Sequence, residues 1–307
     1  MEKKISDLDT RAGFVALIGK ANTGKSTLMN ALVGEKLSIV THKPQTTRKP
    51  VLGILTEGKD QLVFVDTPGI LKPKYEMHRS LMAFIEDSIQ GADILCVLID
   101  AEKFNGTDKY FNPEFLKVFA QVEVPKICVI NKIDLLGDFK NTLPLIAELN
   151  DLSMFEEIIP ISALKGTSVD RVLDVLKSYL PDSMFYYDPE LLSIQNERFF
   201  VSEMIRENIF KAYKEEIPYS TEVQIKEFKE REKGKWFISA EVIVERKTQK
   251  MIIIGSKGEK LKKIGERSRQ QIEEHLQMDV FLELFVKVRE KWRDNKTYLK
   301  SYGYESK

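Results

Sequence analysis

The sequence predicts an α/β fold: a mostly parallel, doubly wound sheet forming a first domain, followed by a smaller α+β domain. Three observations carry this. Short, nearly continuous apolar runs alternate with helical patterns through the first half, as expected of strands buried on both faces and connected by helices. The rhythm breaks at PDSMFYYDPELLSIQN, residues 181–196, which holds two prolines and no clear period. Beyond it the order of elements changes, and strands and helices no longer alternate one to one.

The strands of the first half are FVALIG (residues 14–19), QLVFVD (61–66), DILCVLID (93–100), KICVIN (126–131) and EIIPIS (157–162). Helices fall between them; STLMNALVG and SVDRVLDVLKSYL repeat apolar residues at intervals of three and four. In the second half a helix is expected at 197–213, strands at 221–228 and 236–245, two helical stretches on either side of Gly255–Gly258, and a strand at 280–288. The expected domains are therefore 1–180 and 197–307, joined by a linker at 181–196. A length of 307 residues fits two cores.

Composition narrows the class. A chain 43% hydrophobic and 31% charged, with zero formal net charge, is that of a globular protein. It contains no run of 18 apolar residues and no apolar stretch near its N-terminus, so a cytoplasmic location is expected. Both cysteines, Cys96 and Cys128, sit inside apolar strands and are expected in the core rather than in a disulfide or zinc site. His42, His78 and His275 share no ligand or nucleophile spacing, and none is assigned a catalytic role. Charge is uneven locally: residues 246–269 hold nine Lys or Arg against two Glu.

Chemistry enters with GKANTGKS, Gly19 to Ser26, which matches G-x-x-x-x-G-K-[ST] between a strand and a helix. Glycines let backbone N–H groups turn toward phosphate oxygens, and the helix start adds its positive dipole end. Lys25 is placed to reach the β- and γ-phosphates and Ser26 to offer a hydroxyl to Mg²⁺, with Gly19, Asn22, Thr23, Gly24 and Thr27 completing the cradle. DTPG, Asp66 to Gly69, ends another strand; Asp66 can hold Mg²⁺ and the Gly69 N–H can sense a γ-phosphate. NKID, Asn131 to Asp134, follows a third. A carboxylate at Asp134 accepts from the guanine N1–H and N2 amino group, and Lys132 can lie over the purine face, which points to GTP rather than ATP. SALKG follows the last strand, where Ser162, Ala163 and Leu164 can bring backbone N–H groups to the guanine oxygen.

In the second half, IIIGSKGEKLKKIGERSR places G-x-x-G, Gly255 to Gly258, between helices in the element order of a KH module. Ile254, Gly255, Ser256, Lys257 and Gly258 form the expected RNA-clamping loop, and Lys260, Lys263 and Arg267 can neutralise phosphates.

Together GKANTGKS, DTPG, NKID and SALKG resemble the translation-factor-related P-loop GTPases, and with the C-terminal module the chain resembles the KH-domain-containing GTPases of small ribosomal subunit assembly along nearly its whole length. The resemblance implies that SIVTHKPQTTRKP, residues 38–50, is switch I, whose threonine binds Mg²⁺ only with GTP. Thr46 and Thr47 are both candidates, and Thr47, directly before Arg48, is favoured. Where Ras-type members carry a glutamine after D-x-x-G this chain has Ile70, so slow hydrolysis or another polar group is implied. Asn22 matches an asparagine that related GTPases use to bind K⁺, which implies potassium stimulation. The resemblance thus adds Asn22 and Thr47 to Lys25 and Gly69 as the catalytic set. Departures are confined to Lys20, Ala21 and Thr23, where the family usually has Arg, Pro and Val.

The implied partners are GTP and GDP, the 3′ end of small-subunit rRNA and the small ribosomal subunit, bound by a monomer. Peripheral association with the inner membrane face ranks below RNA. Two other readings compete: an RNA-binding protein with a vestigial nucleotide domain, against which Lys25, Ser26, Asp66 and Asp134 stand intact, and a tRNA-modification GTPase, disfavoured by the KH pattern and by the lack of a cysteine near the C-terminus.

Overall fold

The computed structural model describes residues 9–305 except 112–115, 117–118 and 120–121. Six strands form the first sheet: β1 (Arg11–Ile18), β2 (Val51–Glu57), β3 (Asp60–Asp66), β4 (Ile94–Asp100), β5 (Lys126–Asn131) and β6 (Glu157–Pro160). Their order is β2-β3-β1-β4-β5-β6, and every pairing is parallel except β2 with β3. Alternation along the strands divides the core. Val15 and Leu17 of β1 with Cys96 and Leu98 of β4 face α1 (Lys25–Val33), while Ala16, Ile18, Val97 and Ile99 face α2 (Glu76–Gln90) and α3 (Leu143–Asn150). α4 (Val169–Ser178) packs on the α1 side. Both cysteines are free and buried, as expected, and burial pushes the Cys96 thiol up to about 12.

The sequence reading contains no strand at residues 51–57. β2 is the antiparallel edge of the sheet, half-exposed along much of its length, so it lacks the unbroken apolar run that marks the others. Gly53 explains the residue choice: a Cβ there would lie 3.1 Å from Met29 Sδ and from Val33 Cγ2, so α1 can lie close on the strand only over a glycine.

Residues 181–196 contain no labelled helix or strand, yet they are strapped to the first sheet. The buried Gln61 accepts from the Tyr186 and Tyr187 N–H groups at 2.8 and 3.0 Å and donates to the Tyr187 carbonyl at 2.9 Å, while Ile54 N–H donates to the Leu192 carbonyl at 2.8 Å.

The second sheet is β7 (Glu222–Lys229), β8 (Trp236–Val244) and β9 (Val280–Val288), with β8 central, antiparallel to β7 and parallel to β9. Its longer helices are α5 (Glu197–Ala212), α6 (Lys247–Ile254), α7 (Glu259–Leu276) and α8 (Lys296–Ser301). Asn196 starts α5 by accepting from the Phe199 N–H at 3.0 Å. α5, α6 and α7 cover one face of the sheet through Val201, Ile205, Ile253, Ile264 and Ile272.

A fourth apolar cluster joins the two halves. Met77, Leu81 and Phe84 of α2 pack against Ile243 of β8 and against Trp292, Leu299, Tyr302 and Tyr304, which follow β9. Trp292 is fully buried and its Nε1–H donates to the Ser220 carbonyl at 2.9 Å. Trp292→Ala should cost about 3–5 kcal/mol through cavity formation and an unsatisfied carbonyl. Urea unfolding followed by the remaining tryptophan, Trp236, should show a clearly lower midpoint; an unchanged one would mean the cluster does not hold the halves together.

Candidate functional site

The carboxyl ends of β1, β3, β5 and β6 bring the four nucleotide motifs of the first half to one cavity of about 360 Å³. Asn22, Gly24, Lys25, Ser26, Thr27, Gly69, Asn131, Lys132, Asp134 and Leu164 line it, joined by Thr46 and Thr47 from residues 38–50. Gly19, Thr23, Asp66, Ser162 and Ala163, also expected at the site, do not line it; all but Ser162 bond to residues that do.

The phosphate loop has the backbone that inward-facing N–H groups need. Asn22 and Gly24 are left-handed, with φ of 66° and 99°. A Cβ on Gly24 would stand 2.1 Å from Asn131 Nδ2, which fixes glycine there. Asn131 is thus a fastener: its Nδ2 donates to the Thr23 carbonyl at 2.8 Å, and its Oδ1 accepts from the Lys132 and Ala163 N–H groups at 2.8 and 3.0 Å. The Ala163 N–H, expected to face the base, is therefore directed at Asn131 in this structure. One side chain ties together three motifs that lie far apart in the chain.

Lys25 is buried, its Nζ donating to the Gly19 and Lys20 carbonyls at 3.2 and 3.1 Å. Burial pulls its pKa down to about 8, against the attraction of Asp66. Asp66 is also fully buried, and burial raises its pKa while Lys25 and the Ser26 hydroxyl oppose the rise. Its Oδ2 accepts from Ser26 Oγ at 2.7 Å and from Thr47 Oγ1 at 3.2 Å, and the two hydroxyls are 2.9 Å apart. Among the described residues Asp66 Oδ1 has no hydrogen-bond partner. Two hydroxyls and a carboxylate with a spare buried oxygen form an all-oxygen donor set, which suits a hard cation such as Mg²⁺. Thr46 points elsewhere, its Oγ1 bonding Thr41 Oγ1 at 2.7 Å and the Lys43 carbonyl at 2.8 Å.

Gly69 lies against the phosphate loop so closely that a Cβ would be 2.5 Å from Ala21 Cα. Lys132, left-handed at φ 69°, donates through Nζ to the Asn22 carbonyl at 2.7 Å and to Asp100 Oδ2 at 2.6 Å. The sequence reading missed Asp100; its only signal was an acidic residue ending a buried strand, as Asp66 does. Gln45, Glu102, Lys103 and Leu135 also line the cavity and were missed.

In the second half, Gly255, Lys257 and Gly258 have φ of 72°, 48° and 81°, forming the turn between α6 and α7. A Cβ on Gly255 would stand 2.7 Å from Lys260 Cγ, so the loop closes only over a glycine. Ser256, Lys257, Lys260, Lys263 and Arg267 are exposed and Ile254 is half-buried. A groove of about 580 Å³ begins at Gly258 and runs between α7 and the edge strand β9, floored by Leu261, Gly265, Leu282 and Leu284. Its charged and aromatic rim is Lys235, Lys262, Glu266, Arg269 and Phe281, whereas Lys263 and Arg267, predicted from the sequence, lie outside it.

Residues 14–132 match the family model described as 50S ribosome-binding GTPase, and residues 216–293 match the KH domain model. Among curated relatives, the GTPase Era of Clostridium botulinum strain 657 is 43% identical over 300 residues, covering 96% of this chain and 99% of that one. The GTPase Era of Geotalea uraniireducens is 43% identical over 297 residues, covering 96% and 98%. Among solved structures, a variant of Aquifex aeolicus Era bound to GDP·AlF4⁻ superposes with a TM-score of 0.91 at 38% identity, covering 97% of this chain and all of that one. Era in complex with MgGDPNP and nucleotides 1506–1542 of 16S ribosomal RNA superposes equally well, again at 38% identity.

The depressed Lys25 ammonium makes nucleotide affinity depend on pH. Phosphate oxygens favour the charged form, so the bound pKa lies above the free one, and the benefit is complete below about 8 and lost as pH rises through it. Titration with a fluorescent GTP analogue should show steady affinity from pH 7 to 7.5 and a fall approaching about tenfold per unit above 8. A flat profile would mean Lys25 does not meet the phosphates.

Proposed function

Because this chain belongs to the Era family of GTPases, we propose that it binds the 3′ end of small-subunit rRNA through residues 197–307 and assists small-subunit assembly, under control of GTP held by residues 1–180. The observation that carries this reading is the contact between the two halves at switch I. Thr47 turns its hydroxyl to Ser26 and Asp66, and the next residue, Arg48, turns into the second half. Arg48 is 2% exposed and donates to the Pro218 and Thr221 carbonyls at 2.8 and 2.6 Å and to Glu222 Oε2 at 3.2 Å. Lys43 Nζ donates to the Phe210 and Tyr213 carbonyls at the end of α5, and Arg206 of α5 donates back to the Thr46 carbonyl.

In this reading Ser26 and Thr47 hold Mg²⁺, with Asp66 behind them. Mg²⁺ held there would neutralise charge on the β- and γ-phosphates. Lys25 and the Gly69 N–H bind γ-phosphate oxygens, Asp134 reads guanine, and Lys132 lies over the base, steadied by Asp100. Gaining the γ-phosphate fixes Thr47 and Gly69. That fixes Arg48 and α2, and so changes how the second half presents its G-x-x-G loop. Hydrolysis releases the hold. Asn22 lines the cavity with its carbonyl engaged by Lys132, which is compatible with potassium stimulation of hydrolysis.

The RNA reading extends from the loop into the α7–β9 groove, where Phe281, 52% exposed, offers a face for base stacking and Lys235, Lys262 and Arg269 offer charge. Among the described residues no helix is long and apolar enough to cross a membrane. Peripheral contact with an anionic membrane through residues 246–269 is the secondary reading, favoured by the basic patch alone. We place the protein in the cytoplasm as a monomer.

Two measurements test the proposal. Asp134→Asn should weaken GTP about 10- to 100-fold through loss of charge-assisted bonds and favour xanthosine triphosphate, whose base edge presents an acceptor; an unchanged preference would refute Asp134 as the reader. Ser256→Asp with Lys257→Asp should weaken binding of a 16S 3′-terminal oligonucleotide by about tenfold or more, with basal GTP turnover within about twofold of wild type. Undiminished RNA binding would move the RNA site elsewhere.

A further inference from the structure

Hydrolysis of GTP forms a bond from water oxygen to the γ-phosphorus and breaks the bond from that phosphorus to the β,γ-bridging oxygen. The electron pair goes to GDP and the water proton ends on phosphate or solvent. Charge gathers on phosphoryl oxygens as this happens, and a donor aimed at them lowers the barrier. The residue after Gly69 gives no such donor: the Ile70 backbone N–H is tied to the Gly19 carbonyl at 3.1 Å, its backbone bridges Lys20, and its side chain packs on the apolar core beside α2.

Gln45 stands on the switch I side of the same cavity, close in sequence to Thr47. Its backbone is left-handed, φ 59°, a conformation that is strained for a residue with a Cβ. The turn that imposes it is closed by Thr46 Oγ1, which bonds Thr41 Oγ1 and the Lys43 carbonyl, and by the Lys43 N–H, which donates to Thr41 Oγ1 at 3.2 Å. Across from it, on α2, His78 is held in one orientation. Its Nδ1 accepts the Lys74 N–H at 3.3 Å, and Tyr75 lies against its ring with centroids 3.8 Å apart. A neutral imidazole accepting at Nδ1 carries its proton on Nε2. Nε2 faces Gln45 Oε1 at 3.4 Å. Burial, with Arg293, Arg48 and Lys74 nearby, pulls the His78 pKa down to about 4, which keeps it neutral.

We propose that Gln45 is a catalytic residue of this GTPase, its carboxamide oxygen held by His78 so that its NH₂ group donates to the γ-phosphoryl oxygens as charge develops there. His78 is the positioning residue. The pair joins switch I to α2, so the donor is assembled only when both segments are in place. The inference rests on the GTPase reading above and deepens it.

The test is single-turnover GTP hydrolysis by the full-length protein, with affinities for GDP, a non-hydrolysable GTP analogue and GDP·AlF4⁻. Wild-type turnover tests the GTPase reading itself, and the variants test only Gln45. Gln45→Ala should slow hydrolysis by about tenfold or more. It should weaken GDP·AlF4⁻ by a comparable factor and leave GDP within about threefold of wild type. Gln45→Asn tolerates the left-handed backbone but withdraws the amide by one methylene, so it should show the same pattern with switch I undisturbed. His78→Ala should lose part of the rate and His78→Gln, which restores an N–H donor, should regain it. Hydrolysis by Gln45→Asn within about twofold of wild type would overturn the proposal. So would equal weakening of all three nucleotide complexes, which would mean that Gln45 only braces switch I.

Discussion

The structure depends most on one buried cation. The Arg48 guanidinium leaves switch I and is enclosed by the second half, where Glu222 is its only carboxylate bonding partner among the described residues. Burial alone would push the Glu222 carboxyl up, but Lys49, Arg48, the Tyr304 hydroxyl and Arg206 outweigh it and hold the group below the usual range. Tyr304 Oη donates to Glu222 Oε2 at 2.7 Å, and Lys49 Nζ lies 3.5 Å from Oε1. The Phe210 ring meets the guanidinium groups of Arg48 and Arg206 at 5.7 and 5.2 Å. Separating the halves would strand these charges in an apolar setting unless water reached them, so the contact favours a few discrete arrangements over continuous sliding.

That discreteness is what a switch needs. Thr47 and Arg48 are consecutive, and a peptide bond that turns one side chain toward the Mg²⁺ donor set turns the next toward β7. Movement of either end is felt at the other. By linkage, whatever coupling GTP exerts on RNA affinity, RNA exerts equally on GTP affinity.

The parts of this arrangement that rest on local spacing were legible in the sequence. Gly19 to Ser26 and Gly255 to Gly258 announce themselves because close backbone approach requires glycine at set intervals, and the clash distances at Gly24 and Gly255 bear that out. The parallel strands were equally plain, since burial on both faces leaves an unbroken apolar run. What escaped is of three kinds. β2 is an edge strand with mixed burial and a glycine in its middle, so no single period marks it. The contacts of Asp100 with Lys132 and of Gln45 with His78 join residues far apart in the chain, and nothing in a scattered histidine tells that it will meet a switch I glutamine across a cavity. The groove rim at Lys262 and Arg269 was missed for a third reason: basic residues spread over the exposed face of an amphipathic helix do not declare which of them face β9.

The cluster that joins α2 to the region after β9 also sets an order of events during synthesis. The first sheet, β1 to β6, is complete in sequence by Pro160, but Met77, Leu81 and Phe84 are covered by Trp292, Leu299, Tyr302 and Tyr304, which are translated much later. Until then the nascent nucleotide domain carries an uncovered apolar stripe along its second helix, a surface that chaperones hold and that aggregates when left bare. α2 can therefore take up its docked position only after translation has passed residue 304.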